Sequence, residues 1–131
     1  MDWADLVAHV RARHALIDAD AASLELSWDF CDGELAVRQH QAIGRAGTCY
    51  VVSSELGVPR RAWAALRVGA VRFGTLVEDG ERLELRAYLT AAGLARETLE
   101  HVLHATAYEA ARLAMDVARH ERTARAVDGA A

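Results

Sequence analysis

Residues 73–121 read FGTLVEDGERLELRAYLTAAGLARETLEHVLHATAYEAARLAMDVARHE, and the way this stretch divides decides the fold. Its first part holds two runs of alternating character around Asp79-Gly80, a pair favoured in tight hairpins because both central residues need positive φ. A two-residue turn there sets Leu76 opposite Leu83 and Gly74 opposite Leu85, on one face of the ribbon. Phe73, Val77 and Tyr88 then point to the other face, among Arg82, Glu84 and Arg86. The period changes after Gly93. Leu99, Val102, Leu103, Thr106, Ala110, Leu113, Ala114 and Val117 make one stripe at helical spacing, in a helix that begins near Ala95. Leu94 and Leu99 are placed as a hydrophobic staple at its start. Carried to Arg125, such a helix runs about 45 Å at 1.5 Å per residue. The polar end, RHERTARAVDGAA, is expected to fray.

Upstream of the hairpin, Pro59 marks the start of a short helix, since its fixed φ and missing N–H are harmless at the first position. Trp63 and Leu66 give that helix an apolar side, and it ends around Gly69 to Gly74. TCYVVSS, residues 48–54, reads as a strand after the Gly44 to Gly47 turn. Before it, SLELSWDF alternates strictly, with Leu24, Leu26, Trp28 and Phe30 on one face and Ser23, Glu25, Ser27 and Asp29 on the other. A two-residue turn at Asp32-Gly33 sets Cys31 opposite Glu34, Phe30 opposite Leu35 and Trp28 opposite Val37. Trp3, Leu6, Val7, Val10 and Ile17 give a first helix of about 15 residues, with His14 close to its stripe. The order is therefore α-β-β-β-α-β-β-α. This is an α+β fold with one antiparallel five-stranded sheet packed against the first and last helices.

Composition bounds the function. The chain has 131 residues, 53% of them apolar and 26% charged, which fits one globular domain over residues 1–131. A net charge of −4 leaves no evident phosphate-neutralising surface, so nucleic acid is not an expected partner. No segment is long and apolar enough to span a bilayer, and MDWADLVAHVRARHALIDAD, with Asp2 and Asp5, does not read as a signal peptide. Cys31 and Cys49 lack metal-type spacing and read as reduced thiols in a cytoplasm.

The span GVPRRAWAALRVGAVRFGTLVEDGERLELRAYLTAAGLARETLEHVLHATAYEAARL, residues 57–113, resembles the second half of the bacterial type III secretion chaperone-like superfamily. The closer likeness is to its YbjN-like branch, often described as sensory transduction regulators. A proline-started short helix, a strand with an acidic turn, a strand of alternating leucines, the link Leu89-Thr90-Ala91-Ala92-Gly93-Leu94 and a long final helix carry it. The resemblance implies an acidic cytoplasmic homodimer that holds an extended segment of a client or regulatory protein. Apolar pockets and a free sheet edge would serve such a segment. Trp63, Phe73, Val77 and Tyr88 are the expected self- or partner-contact residues.

Residues for catalysis are not found. Ser53-Ser54 has no G-x-S-x-G elbow around it. The glycines of IGRAGTC have neither phosphate-loop nor dinucleotide spacing, and turns explain them. His101 and His104, with Glu97 and Glu100 one turn earlier, could hold a divalent metal. Two histidines at this spacing lack the distant ligands of a structural site, however, and a solvated charged helix face with Tyr108 and Arg112 is the favoured reading. The expectation is a non-enzymatic protein-binding domain, chaperone-like or regulatory, with no catalytic residue, cofactor or metal. The alternative is a small-ligand or metal-responsive sensor using His101 and His104.

Overall fold

The computed structural model describes residues 1–28, 33–41, 47–66 and 71–130. Along the chain come α1 (Trp3–Arg13), β1 (Ala15–Ala19), β2 (Ser23–Trp28), β3 (Gly33–Gln41) and β4 (Thr48–Leu56). A 3-10 helix (Arg60–Ala65), β5 (Thr75–Asp79), β6 (Arg82–Thr90) and α2 (Arg96–Ala130) follow. The strands form one antiparallel sheet in the order β1-β2-β3-β4-β6-β5. The class is α+β as expected, with six strands where five are expected from the sequence.

The additional strand comes from the tail of the expected first helix. Asp2 caps α1 through a hydrogen bond from the Asp5 N–H at 2.8 Å, and the helix stops at Arg13 with His14 extended. Ile17 is therefore on a strand and not on the helical stripe. A bulge at Ile17 lets both Leu16 and Ala19 face core-side partners on β2, Leu26 and Leu24. Burying Leu16 against the sheet outweighs one more helical turn with Arg13 and His14 at the stripe positions.

Both hairpins differ in register from expectation, each by an even number of residues, so every side chain within the strands keeps its face. Phe73, expected beside Val77 and Tyr88, precedes β5 and packs on the core instead. In the first, Leu26 pairs with Leu35, Leu24 with Val37 and Trp28 with Gly33. The expected register would have set Leu26 and Leu24 opposite Gln39 and Gln41. The observed one gives both leucines apolar partners, which favours it over the Asp32-Gly33 turn. Phe30, Cys31 and Asp32 lie outside the described residues. In the second hairpin Asp79 pairs with Arg82 and Leu76 with Leu85, so the turn is Gly80-Glu81, with Gly80 at φ +63. Pro59 likewise sits one residue earlier than expected, as the extended cap of the 3-10 helix.

α1 and α2 cover the same sheet face. Leu6 and Val10 of α1 and Leu99, Val102 and Leu103 of α2 join Leu24, Leu26, Leu35, Val37, Tyr50 and Val52 in the main core. Each such aliphatic side chain, fully buried, contributes about 1.5–3 kcal/mol. A second cluster, Leu56, Leu83, Leu85, Ala110 and Leu113, lies further along α2 under the 3-10 helix. The helix does not fray at Arg125; its 35 residues make about 52 Å, against about 24 Å for six strands side by side. Residues 122–127 are all exposed, so its end projects beyond the sheet. Among the described residues no helix lies on the opposite sheet face, which exposes Glu25, Glu34, Arg38, Glu55 and Tyr88 and buries Val51 and Ser53 between their neighbours.

Candidate functional site

β5 is the last strand in the sheet, and its register with β6 is regular over all five residues. On the helix-covered side it borders a cavity of about 390 Å³. Trp63 and Leu66 from the 3-10 helix, Val71, Leu76 from β5 and Leu83 from β6 give the cavity apolar walls. Gly74, Thr75 and Glu78 complete its rim.

Local chemistry fixes each wall. Trp63 donates from Nε1 to the Val58 carbonyl at 3.3 Å, and the Arg60 guanidinium stands 5.4 Å from its ring centroid. Gly74 has φ +77, and a Cβ there would lie 2.8 Å from the Arg86 carbonyl oxygen, so only glycine fits where the chain approaches β6. The segment before it is held by Glu109, which is 3% exposed on α2. Glu109 Oε2 accepts from the Phe73 N–H at 2.9 Å and from the Arg72 N–H, while Oε1 accepts from Arg112 Nε at 2.5 Å. Burial pushes the Glu109 carboxyl up. The hydrogen bonds from Arg112, Arg72 and Phe73, with the Arg112 charge, together outweigh it and hold the group below the ordinary glutamate range.

A different polar cluster joins the two helices. Glu100 Oε1 accepts from His9 Nε2 at 2.7 Å and from His14 Nε2 at 2.8 Å. Burial raises the Glu100 carboxyl, but the two imidazole hydrogen bonds and charges outweigh it and lower it overall. His14 stacks on Trp28 at 4.8 Å, and the buried Trp28 Nε1 has no hydrogen-bond partner among the described residues. Among the described residues, no group of three or more His, Cys, Asp or Glu side chains is arranged to hold a metal. A second hollow of about 370 Å³ lies by Trp3, Gln39, Thr48 and Tyr50, where Tyr50 Oη donates to the Met1 carbonyl at 2.6 Å.

The four residues singled out as contacts are divided between environments. Trp63 lines the cavity. Phe73 turns inward against the main core. Val77 and Tyr88 lie on the open sheet face, where they pair with Glu84 and Val51, and Tyr88 is 56% exposed. His101 and His104 are both exposed, with the His104 ring centroid 5.9 Å from that of Trp28 and 6.2 Å from that of Tyr108. Cys49 donates from Sγ to the His40 carbonyl at 3.1 Å. Sequence reading missed Leu66, Val71, Leu76, Leu83 and Glu78 as one surface. The alternation marks Leu76 and Leu83 as core-facing, but only the strand order reveals that β5 is an edge.

No helix of the described residues is long and apolar enough to cross a membrane. Comparison with protein families, with characterised proteins and with solved structures finds no match to the chain. Fold and groove together define its class: an α+β protein with one helix-covered sheet face, one open face, and an apolar groove along one sheet edge.

Proposed function

We propose that this chain is a non-enzymatic, chaperone-like or regulatory binding protein that holds an extended segment of a client or signalling protein along β5. The observation that carries the proposal is an apolar cavity opening beside an edge strand. Among the described residues, no strand pairs with the outer side of Thr75–Asp79. A segment added there gains main-chain hydrogen bonds worth about 0.5–1.5 kcal/mol each, and an apolar side chain in the cavity adds about 1.5–3 kcal/mol. Association costs at least about 4 kcal/mol, so a single edge binds weakly. A homodimer with two such edges raises the avidity without any new contact, and the reading includes that assembly in a cytoplasmic setting. The resemblance to the type III secretion chaperone-like superfamily, which as an order of elements extends over nearly the whole chain, implies the same mode of action through the secretion chaperones of that fold.

Hydrogen exchange on the whole chain, with and without short unstructured peptides that each carry one central apolar residue, tests the proposal. Bound peptide is expected to slow exchange in residues 75–79 and to shift Trp63 emission, with Trp63→Phe as the optical control. Leu76→Glu is expected to abolish both effects. Protection that falls elsewhere, or no binding at any attainable peptide concentration, refutes it.

A further inference from the structure

The groove has a charge as well as a shape. Side chains alternate along β5, so Leu76 and Glu78 share the helix-covered side and stand about 6.8 Å apart along the strand. Leu76 and Glu78 both line the cavity. Glu78 is exposed and, among the described residues, forms no ion pair, while three arginines of the neighbouring elements have other partners. Arg86 holds Glu84 at 2.9 Å and Asp79 at 3.5 Å on the open face, Arg60 lies over Trp63, and Arg61 reaches Glu121 at 3.8 Å.

An added strand alternates with the same period. When one of its side chains enters the cavity beside Leu76, the side chain two positions away arrives beside Glu78, and the residue between them points to the open face. We infer that the β5 groove selects extended segments in which a bulky apolar residue and an arginine or lysine stand two positions apart. This deepens the docking proposal above and rests on it. Arginine is the better match, because its planar fork can bind the carboxylate through two N–H groups. At β1, the other edge, the bulge at Ile17 breaks the alternation, and among the described residues the second hollow is not lined by any β1 residue.

The test compares peptides of one length and composition. They carry a leucine with arginine two positions away on either side, with glutamate at those positions, or with arginine moved to the adjacent position. Affinity is measured by fluorescence polarisation against the full chain and its Glu78→Gln and Glu78→Arg variants, with hydrogen exchange of residues 75–79 alongside. Arginine at the second position, on one side, is expected to bind roughly three- to tenfold tighter than glutamate there, a cross-strand charge effect. Added salt should shrink that ratio. Moving arginine to the adjacent position should remove the advantage, Glu78→Gln should flatten it, and Glu78→Arg should reverse it. If every peptide protects residues 75–79 equally, and Glu78→Arg changes nothing, the charge selection is wrong while edge docking stands. If no peptide protects those residues, docking itself is wrong and the selection falls with it.

Discussion

At Gly74 a single hydrogen decides whether the groove can form. Its φ of +77 disfavours any L side chain, and an added Cβ would press on the Arg86 carbonyl, a main-chain atom that cannot step aside without moving β6. Gly80, in the turn, has a similar φ of +63 but open space around the place a Cβ would take. The pair separates conformational strain from steric conflict. Gly80→Ala should lose about 1 kcal/mol, the strain alone. Gly74→Ala should lose about 2–4 kcal/mol and weaken peptide binding, because Val71 and Leu76 on either side of it line the cavity. Urea midpoints of the two variants check this, and equal losses would show that the close approach to β6 has no energetic weight. From the sequence Gly74 is legible as the end of a turn region and as a position opposite Leu85 on the hairpin. Its conflict with Arg86 depends on the two-residue register change in the hairpin, which alternation cannot detect because both registers bury the same leucines.

Among the elements, the 71–74 segment is fixed less by its own sequence than by α2, through Glu109. A carboxylate that receives two main-chain N–H groups and an arginine is stabilised in its charged form. The folded pKa is depressed, so this contribution is present above the ordinary value of 4.5 and is lost as pH falls through the folded value. Glu100, lowered by His14 and His9 despite its burial, acts in the same direction at the α1–α2 junction. Glu109→Gln should cost about 1–3 kcal/mol near neutrality, since it keeps an acceptor but loses the charge beside Arg112. Its stability should also fall less steeply than that of the parent as pH falls below 4.5, because one of the depressed carboxyls is gone. Denaturant titrations across that range measure both quantities, and parallel acid limbs would sink the assignment. Elements with strong period and length, namely β2, β6 and α2, were readable from residue spacing. β1 was not, because five residues with one bulge carry too little alternation to compete with an adjoining amphipathic stripe. Glu109 was hidden for a related reason: on a helical wheel it is one more polar residue beside a stripe of alanines, and its value comes from a loop distant in sequence.

On the scale of the whole molecule, two apolar clusters lie along α2, one shared with α1 and one with the 3-10 helix. β6 runs through both, Ala87 and Leu89 in the first and Leu83 and Leu85 in the second, so the clusters are joined by continuous hydrogen-bonded backbone. This predicts one cooperative unit with local differences in function. Leu103 in the first cluster and Leu113 in the second are both fully buried, and truncating either to alanine should cost about 2–5 kcal/mol. Each variant should still unfold in one transition, with coincident far-ultraviolet and tryptophan signals. Their effects on binding should differ. Leu113 supports the cluster against which Trp63, Leu66, Val71 and Leu76 pack, so Leu113→Ala loosens the cavity wall, whereas Leu103→Ala removes contacts at the α1 end. Under conditions where both variants remain folded, Leu113→Ala should weaken apolar peptides severalfold more than Leu103→Ala. Equal weakening would mean that binding reads only global stability, and the groove along β5 would lose its standing as the place where the client segment is held.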